Sequence, residues 1–277
     1  MTSLPLEPLS DVITFPDTQF TSSYPTALLP SPAEVRETNG KTSHPRATNR
    51  NIAPPARYPE LGLLVKYGTK VIESEMLSQR YVFQRLHGVV PVPAVLGWAH
   101  DDGQGFLYMT LIDAPTLAEG WKDLGEFDRQ ALCLELRGMV QSWRSLEQNS
   151  GENYIGAPDS SLPEAASDAV RLFQEACYID LEDEVPIAFT HGNLVPCNIL
   201  VIRGENPKVA AIIDWDQSGW YPSYWEWCKA IWVMMPPVDM DRAQQELWKQ
   251  NYLPLILEPL SETDIYHPWF YFALSNL

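Results

Sequence analysis

The sequence predicts an α+β chain of two lobes, a small sheet-rich one followed by a larger helical one. Three observations carry this. Short apolar runs with turn residues between them cluster at 61–112. A long 3.6-period pattern begins after Pro115. A single pair of strand-like runs is then embedded at 199–213. The 277-residue length suits two closely packed lobes, and 45% hydrophobic with 11% aromatic content exceeds what a disordered chain carries.

Residues 1–57 are rich in Pro, Ser, Thr and Asn and show little apolar periodicity beyond a short helix expected near 32–38, so they read as an extended or partly disordered N-terminal arm. The N-lobe is expected at 58–113. The apolar run 61–67 is its first strand. A helix follows with Ile72, Met76, Gln79, Phe83 and Leu86 along one face. Val90-Pro91-Val92-Pro93 must be extended, because proline neither continues a helix nor permits one before it. Strands at 94–99 and 106–112 flank the turn Asp101-Asp102-Gly103-Gln104-Gly105.

The helical C-lobe is expected at 114–277. Leu132, Leu136, Met139, Trp143 and Leu146 recur at spacings of 4, 3, 4 and 3, the signature of one helix face. A second helix is expected at 162–177. Strands at 199–202 and 209–213 enclose the turn Arg203-Gly204-Glu205-Asn206-Pro207, and the aromatic-rich remainder from Tyr224 reads as helix.

The formal net charge of −17 argues against a nucleic-acid binder and against docking on anionic membranes. No run approaches the ~20 apolar residues of a membrane span, and the N-terminus has no basic start followed by an apolar core, so a soluble cytoplasmic protein is expected. Cys133, Cys177, Cys197 and Cys228 show no metal or redox spacing and read as free thiols. Cys197 has no activating base in its sequence context, and no structural zinc is expected. Trp215, Trp220, Trp225, Trp227 and Trp232 read as aromatic packing rather than a box for a cation.

Four elements carry chemistry through their order. Lys66 ends an apolar strand, and Glu75 follows nine residues later on the next helix. His191-Gly192-Asn193-Leu194-Val195-Pro196-Cys197-Asn198 precedes a strand, and Ile212-Ile213-Asp214-Trp215 ends one. A phosphotransfer site needs these parts: a lysine for nucleotide phosphates steadied by a glutamate, and oxygen ligands for Mg²⁺. The spacing His-x-Asn-x-x-x-x-Asn matches the kinase catalytic-loop pattern except at the base position.

On these residues, together with Val65-Lys66-Tyr67-Gly68 and Gly219-Trp220-Tyr221-Pro222-Ser223-Tyr224-Trp225-Glu226, the chain resembles the aminoglycoside phosphotransferase and choline kinase-like family, fungal members in particular, over about 60–240. The resemblance implies a two-lobed protein kinase-like fold binding ATP and Mg²⁺ between the lobes. It implies that Lys66 contacts phosphate with Glu75 as its partner, and that Asn198 and Asp214 ligate Mg²⁺. His191 would brace the catalytic loop, and the segment 108–112, with Met109 and Leu111, would offer backbone to adenine.

The chain departs from the family pattern at Asn193, where the family has the aspartate base, at Cys197, where fungal relatives often have a basic residue, and in lacking a glycine-rich loop before Lys66. The expected activity is therefore small-molecule O-phosphotransfer with an impaired base. The alternative is a pseudokinase of specialised metabolism that binds a small molecule, or promotes a reaction such as a cyclisation, without moving phosphate. Either would act as a monomer or homodimer on a small-molecule partner.

Overall fold

The structure, a computed structural model, describes residues 12–15, 29–148 and 186–260. The chain divides into two compact units, one of residues 1–76 and 93–112 and one of residues 77–92 and 113–277.

The first unit is built on a five-stranded antiparallel sheet. Its strands are β1 (Ile13–Thr14), β2 (Ala56–Tyr58), β3 (Leu63–Gly68), β4 (Val95–Asp101) and β5 (Gln104–Thr110), in the order β1-β4-β5-β3-β2. β5 is the central strand, and beside it the alternate residues Leu63, Val65 and Tyr67 of β3 bury one face, where Phe106 and Tyr108 of β5 join them. Tyr67 stacks on Phe106 with ring centroids 5.2 Å apart.

Helix α1 (Pro32–Gly40) covers this face. Ser31 and Glu34 form a capping box at its start, Val35 is fully buried, and Asn39 donates to the Tyr67 hydroxyl at 2.8 Å and to the Pro54 carbonyl at 2.7 Å. Arg36 is bound to Asp101 at 2.6 Å and to Gln104 at 2.8 Å. The stretch expected as a surface arm up to residue 57 thus supplies two strands and a helix to the sheet unit. The physical reason is that the aromatic face of β3 and β5 needs a cover, which composition alone conceals.

Helix α2 (Glu73–Leu86) begins in the first unit, and its residues from 77 count with the second. The second unit's main helix is α3 (Glu126–Arg144), which buries Leu132, Cys133, Leu136, Met139, Val140 and Trp143, the face expected from the sequence except that Leu146 lies beyond its end. Two hairpin-like ladders pack there: β6 (Ile187–Thr190) with β9 (Gly219–Pro222), and β7 (Ile199–Ile202) with β8 (Lys208–Ile212). Glu135 of α3 accepts the backbone N–H of Val209 in β8 at 3.1 Å. Among the described residues, helices α4 (Trp225–Trp232) and α5 (Arg242–Leu247) follow, and α5 runs on through a π turn at Trp248–Tyr252 into a last helical turn at Leu253–Ile256 that contains Pro254.

The helix expected at 162–177 lies outside the described residues. Of the tryptophans in the aromatic segment, Trp215 and Trp220 are core residues, whereas Trp232 is 43% exposed. Among the described residues no helix is long and apolar enough to cross a membrane.

Candidate active site

In the sheet unit, strand alternation places Lys66 on the face of β3 opposite Leu63, Val65 and Tyr67, directly across from Leu107 of β5. The first turn of α2 carries Glu75. Lys66 Nζ donates to Glu75 Oε1 at 2.5 Å, and the glutamate side chain is only 3% exposed. The ion pair expected from the sequence is therefore formed.

Two further expected positions have backbone already engaged. Leu111 donates its N–H to the Gly62 carbonyl at 2.8 Å. Met109 lies inside the sheet, opposite Leu64 on one side and Val95 on the other. Ahead of β3 the described chain forms α1, an irregular stretch 41–55 and the short β2, which joins β3 through a 3₁₀ turn at Pro59–Leu61. None of these is a glycine-rich hairpin.

The second unit gathers the remaining expected residues. The register of β7 and β8 pairs Ile199 with Ile212, and one step outward Ile213 N–H donates to the Asn198 carbonyl at 3.0 Å. This step sets Asn198, just before β7, beside Asp214, just after β8. Asp214 is in the left-handed region, φ 68° and ψ 57°, a conformation aspartate tolerates better than most residues. β6 delivers His191, Gly192 and Asn193 to the same end.

Asn193 links the group. Its Nδ2 donates to Asp214 Oδ2 at 3.1 Å, and its carbonyl accepts from Asn198 Nδ2 at 2.9 Å. Because Asn198 spends its amide nitrogen on this bond, its oxygen is the atom left for a cation.

His191 is fully buried. Its Nδ1 accepts the Asn193 N–H at 3.1 Å, and its Nε2 donates to the Ile213 carbonyl at 3.0 Å, so the neutral ring carries its proton on Nε2. Burial pushes its pKa down to about 4. A ring so held braces both sides of the site and is poorly suited to exchanging protons with a ligand.

Sequence reading missed one residue of this assembly. Glu226 in the first turn of α4 is fully buried, and its carboxylate accepts the N–H of His191 at 2.6 Å and of Gly192 at 3.1 Å. Burial pushes the carboxyl up to about 7, although both N–H groups and nearby Arg144 favour its ionised form. The available signal was a lone carboxylate between Trp225 and Trp227 in an apolar helix. Gly192 has φ +76°, and a Cβ there would run into the Gln217 carbonyl, so the loop requires glycine.

Cys197 is half-buried, and burial with nearby acidic groups pushes its thiol up to about 11, the opposite of an activated nucleophile. Among the described residues no group of three or more His, Cys, Asp or Glu gathers as a metal site. Asn198 and Asp214 offer two oxygen donors, which fits Mg²⁺ bound by few side chains together with water and phosphate.

The model of the Phosphotransferase enzyme family (APH) matches residues 74–255. Among solved structures, the chain is similar to aminoglycoside-3′-phosphotransferase of type VIII at 17% identity, over 77% of this chain and 84% of that one, with a TM-score of 0.48. It is similar to a thermostable mutant of aminoglycoside phosphotransferase APH(4)-Ia in ternary complex with AMP-PNP and hygromycin B at 15% identity, over 69% of this chain and 70% of that one, with a TM-score of 0.47. The GDP complex of wild-type aminoglycoside 2′-phosphotransferase-IIIa matches at 13% identity, over 70% of this chain and 72% of that one, with a TM-score of 0.43. No curated protein matches the chain.

Proposed function

Because the chain belongs to the Phosphotransferase enzyme family, we propose that it transfers phosphate from ATP to a hydroxyl of a small molecule, slowly, in the cytoplasm. The observation that carries this reading is the convergence of Asn193, Asn198 and Asp214 within hydrogen-bond contact at one end of the β7–β8 ladder.

In this reading Lys66, held by Glu75, takes the nucleotide phosphates. Asn198 and Asp214 would hold Mg²⁺, which supplies neutralisation of phosphate charge. Asn193 stands where an acceptor hydroxyl would meet a base. Its carboxamide can orient that hydroxyl but takes no proton, and loss of general-base help commonly costs ~10²–10⁴-fold. Phosphoryl transfer rests mostly on positioning and electrostatics, so slow turnover remains compatible with Asn193. His191 and Glu226 fix the loop backbone and touch no reacting atom.

The test is transfer of labelled γ-phosphate to a panel of hydroxylated amines and alcohols. Slow, Mg²⁺-dependent transfer that disappears in Lys66→Ala is the expected result. Absence of transfer in a protein that ATP does not stabilise favours a second reading, a repurposed member of the fold that binds a small molecule without moving phosphate. That reading draws on Leu111 and Met109, whose backbone is committed within the sheet unit, and on the absence of a glycine-rich hairpin among the described residues.

A further inference from the structure

Asn193 is bonded to both residues assigned above to the metal. Its carboxamide nitrogen sits 3.1 Å from Asp214 Oδ2, its carbonyl 2.9 Å from Asn198 Nδ2, and its own N–H is anchored on His191 at 3.1 Å. The loop is fixed from beneath by Glu226, so this geometry is built in rather than incidental to an exposed side chain.

We propose that Asn193 is a positioning residue that occupies the Asp214 carboxylate in the metal-free protein and keeps the affinity of this site for divalent cations low. The inference rests on the phosphotransferase reading of Asn198 and Asp214.

Two physical effects act in the same direction. An amide NH₂ group can only donate, so the Oδ2 it holds is turned toward residue 193, and a cation must compete with that bond. A neutral side chain also leaves the site one negative charge poorer than a carboxylate would. A unit charge about 5 Å from a divalent cation alters its affinity by more than about ten-fold even in water-like surroundings. An aspartate at 193 would reverse both effects. It would set two carboxylates against each other across roughly the present contact distance, a repulsion that an entering cation relieves.

The experiment is thermal unfolding of the full chain in chelator and then across a MgCl₂ titration, for the parent, Asn193→Asp and Asn193→Ala. A second series adds ATP. In chelator, Asn193→Asp is expected to melt below the parent and to recover as Mg²⁺ is added. Its midpoint should lie more than about ten-fold below the concentration at which the parent responds. Asn193→Ala removes the competing donor without adding charge, so its midpoint should fall by a smaller factor, which decides the matter if Asn193→Asp does not fold.

Coincident Mg²⁺ midpoints for parent and variants, or an Asn193→Asp protein as stable as the parent in chelator, would overturn the inference. If Mg²⁺ separates the variants while ATP shifts none of them, the positioning role stands and the nucleotide reading fails. If ATP stabilises all three with one common Mg²⁺ midpoint, the nucleotide reading stands and the positioning role fails.

Discussion

Lys66 and Glu75 meet at 2.5 Å on the face of the sheet opposite its aromatic core, with the lysine side chain 31% exposed and the glutamate 3% exposed. The asymmetry of exposure decides what each substitution does. Removing the lysine takes a close cation away from a buried carboxylate, whereas exchanging both residues for apolar ones removes the buried charge with it. Lys66→Ala should cost about 3 kcal/mol, toward the low end for a broken buried pair because water reaches Lys66. The double change Lys66→Met with Glu75→Leu should cost much less. Chemical denaturation of the parent, both single variants and the double variant checks this, and additive losses would show that the pair is not coupled.

Glu226 should give the stability a distinct pH dependence. Its folded pKa is raised from 4.5 to about 7, so the native state holds a proton that the unfolded chain has released, and stability falls as pH rises through this window. The full span is worth about 3 kcal/mol. His191 acts oppositely. Its folded pKa is lowered from 6.5 to about 4, so its contribution is lost as pH falls through that window. The two slopes largely cancel in the parent. The informative quantity is therefore the difference between parent and Glu226→Gln. The variant's deficit should shrink as pH is raised from 5 to 8, because only the parent loses stability over that range at this position. A deficit independent of pH would contradict the burial of an ionisable group here.

Gly192→Ala should destabilise the protein by about 2 kcal/mol or more, since a Cβ must both enter the left-handed region and displace the Gln217 carbonyl. Gly138→Ala, on α3 with open space around the added atom, is the control, and helix propensity makes it neutral or stabilising. Differential thermal melts of the two variants check this.

Much of this arrangement was legible because it is local. Ile199-Leu200-Val201-Ile202 is an apolar β-branched run stopped by Arg203-Gly204-Glu205-Asn206-Pro207, and it forms a strand over those four residues. The α3 face was legible because its buried residues repeat every three or four positions. What escaped depends on pairing at a distance. β6 and β9 have four residues each and find each other across the intervening β7–β8 ladder, and β9 ends in Pro222, which weakens its strand signal. Residues 29–57 looked like an arm because their polar composition hides a cover held by Val35, Asn39 and Arg36. At the site, spacing singled out Asn193 and Asn198, and the order of motifs together with the family resemblance added Asp214. The bond between Asn193 and Asp214 needs the β7–β8 register, and the role of Glu226 needs α4 to return beneath the loop.

The most direct measurement is calorimetric titration of ATP into the full chain at saturating MgCl₂, run in parallel on Asp214→Ala. Asp214 is half-buried at a strand end, so its truncation removes a carboxylate without opening a core cavity, and the variant should keep the parent's circular dichroism spectrum. The expected result is Mg²⁺-dependent ATP binding by the parent that is lost in the variant. No binding by the parent at millimolar ATP, or equal binding by the two proteins, would contradict the assignment of this loop to a nucleotide-dependent phosphotransferase.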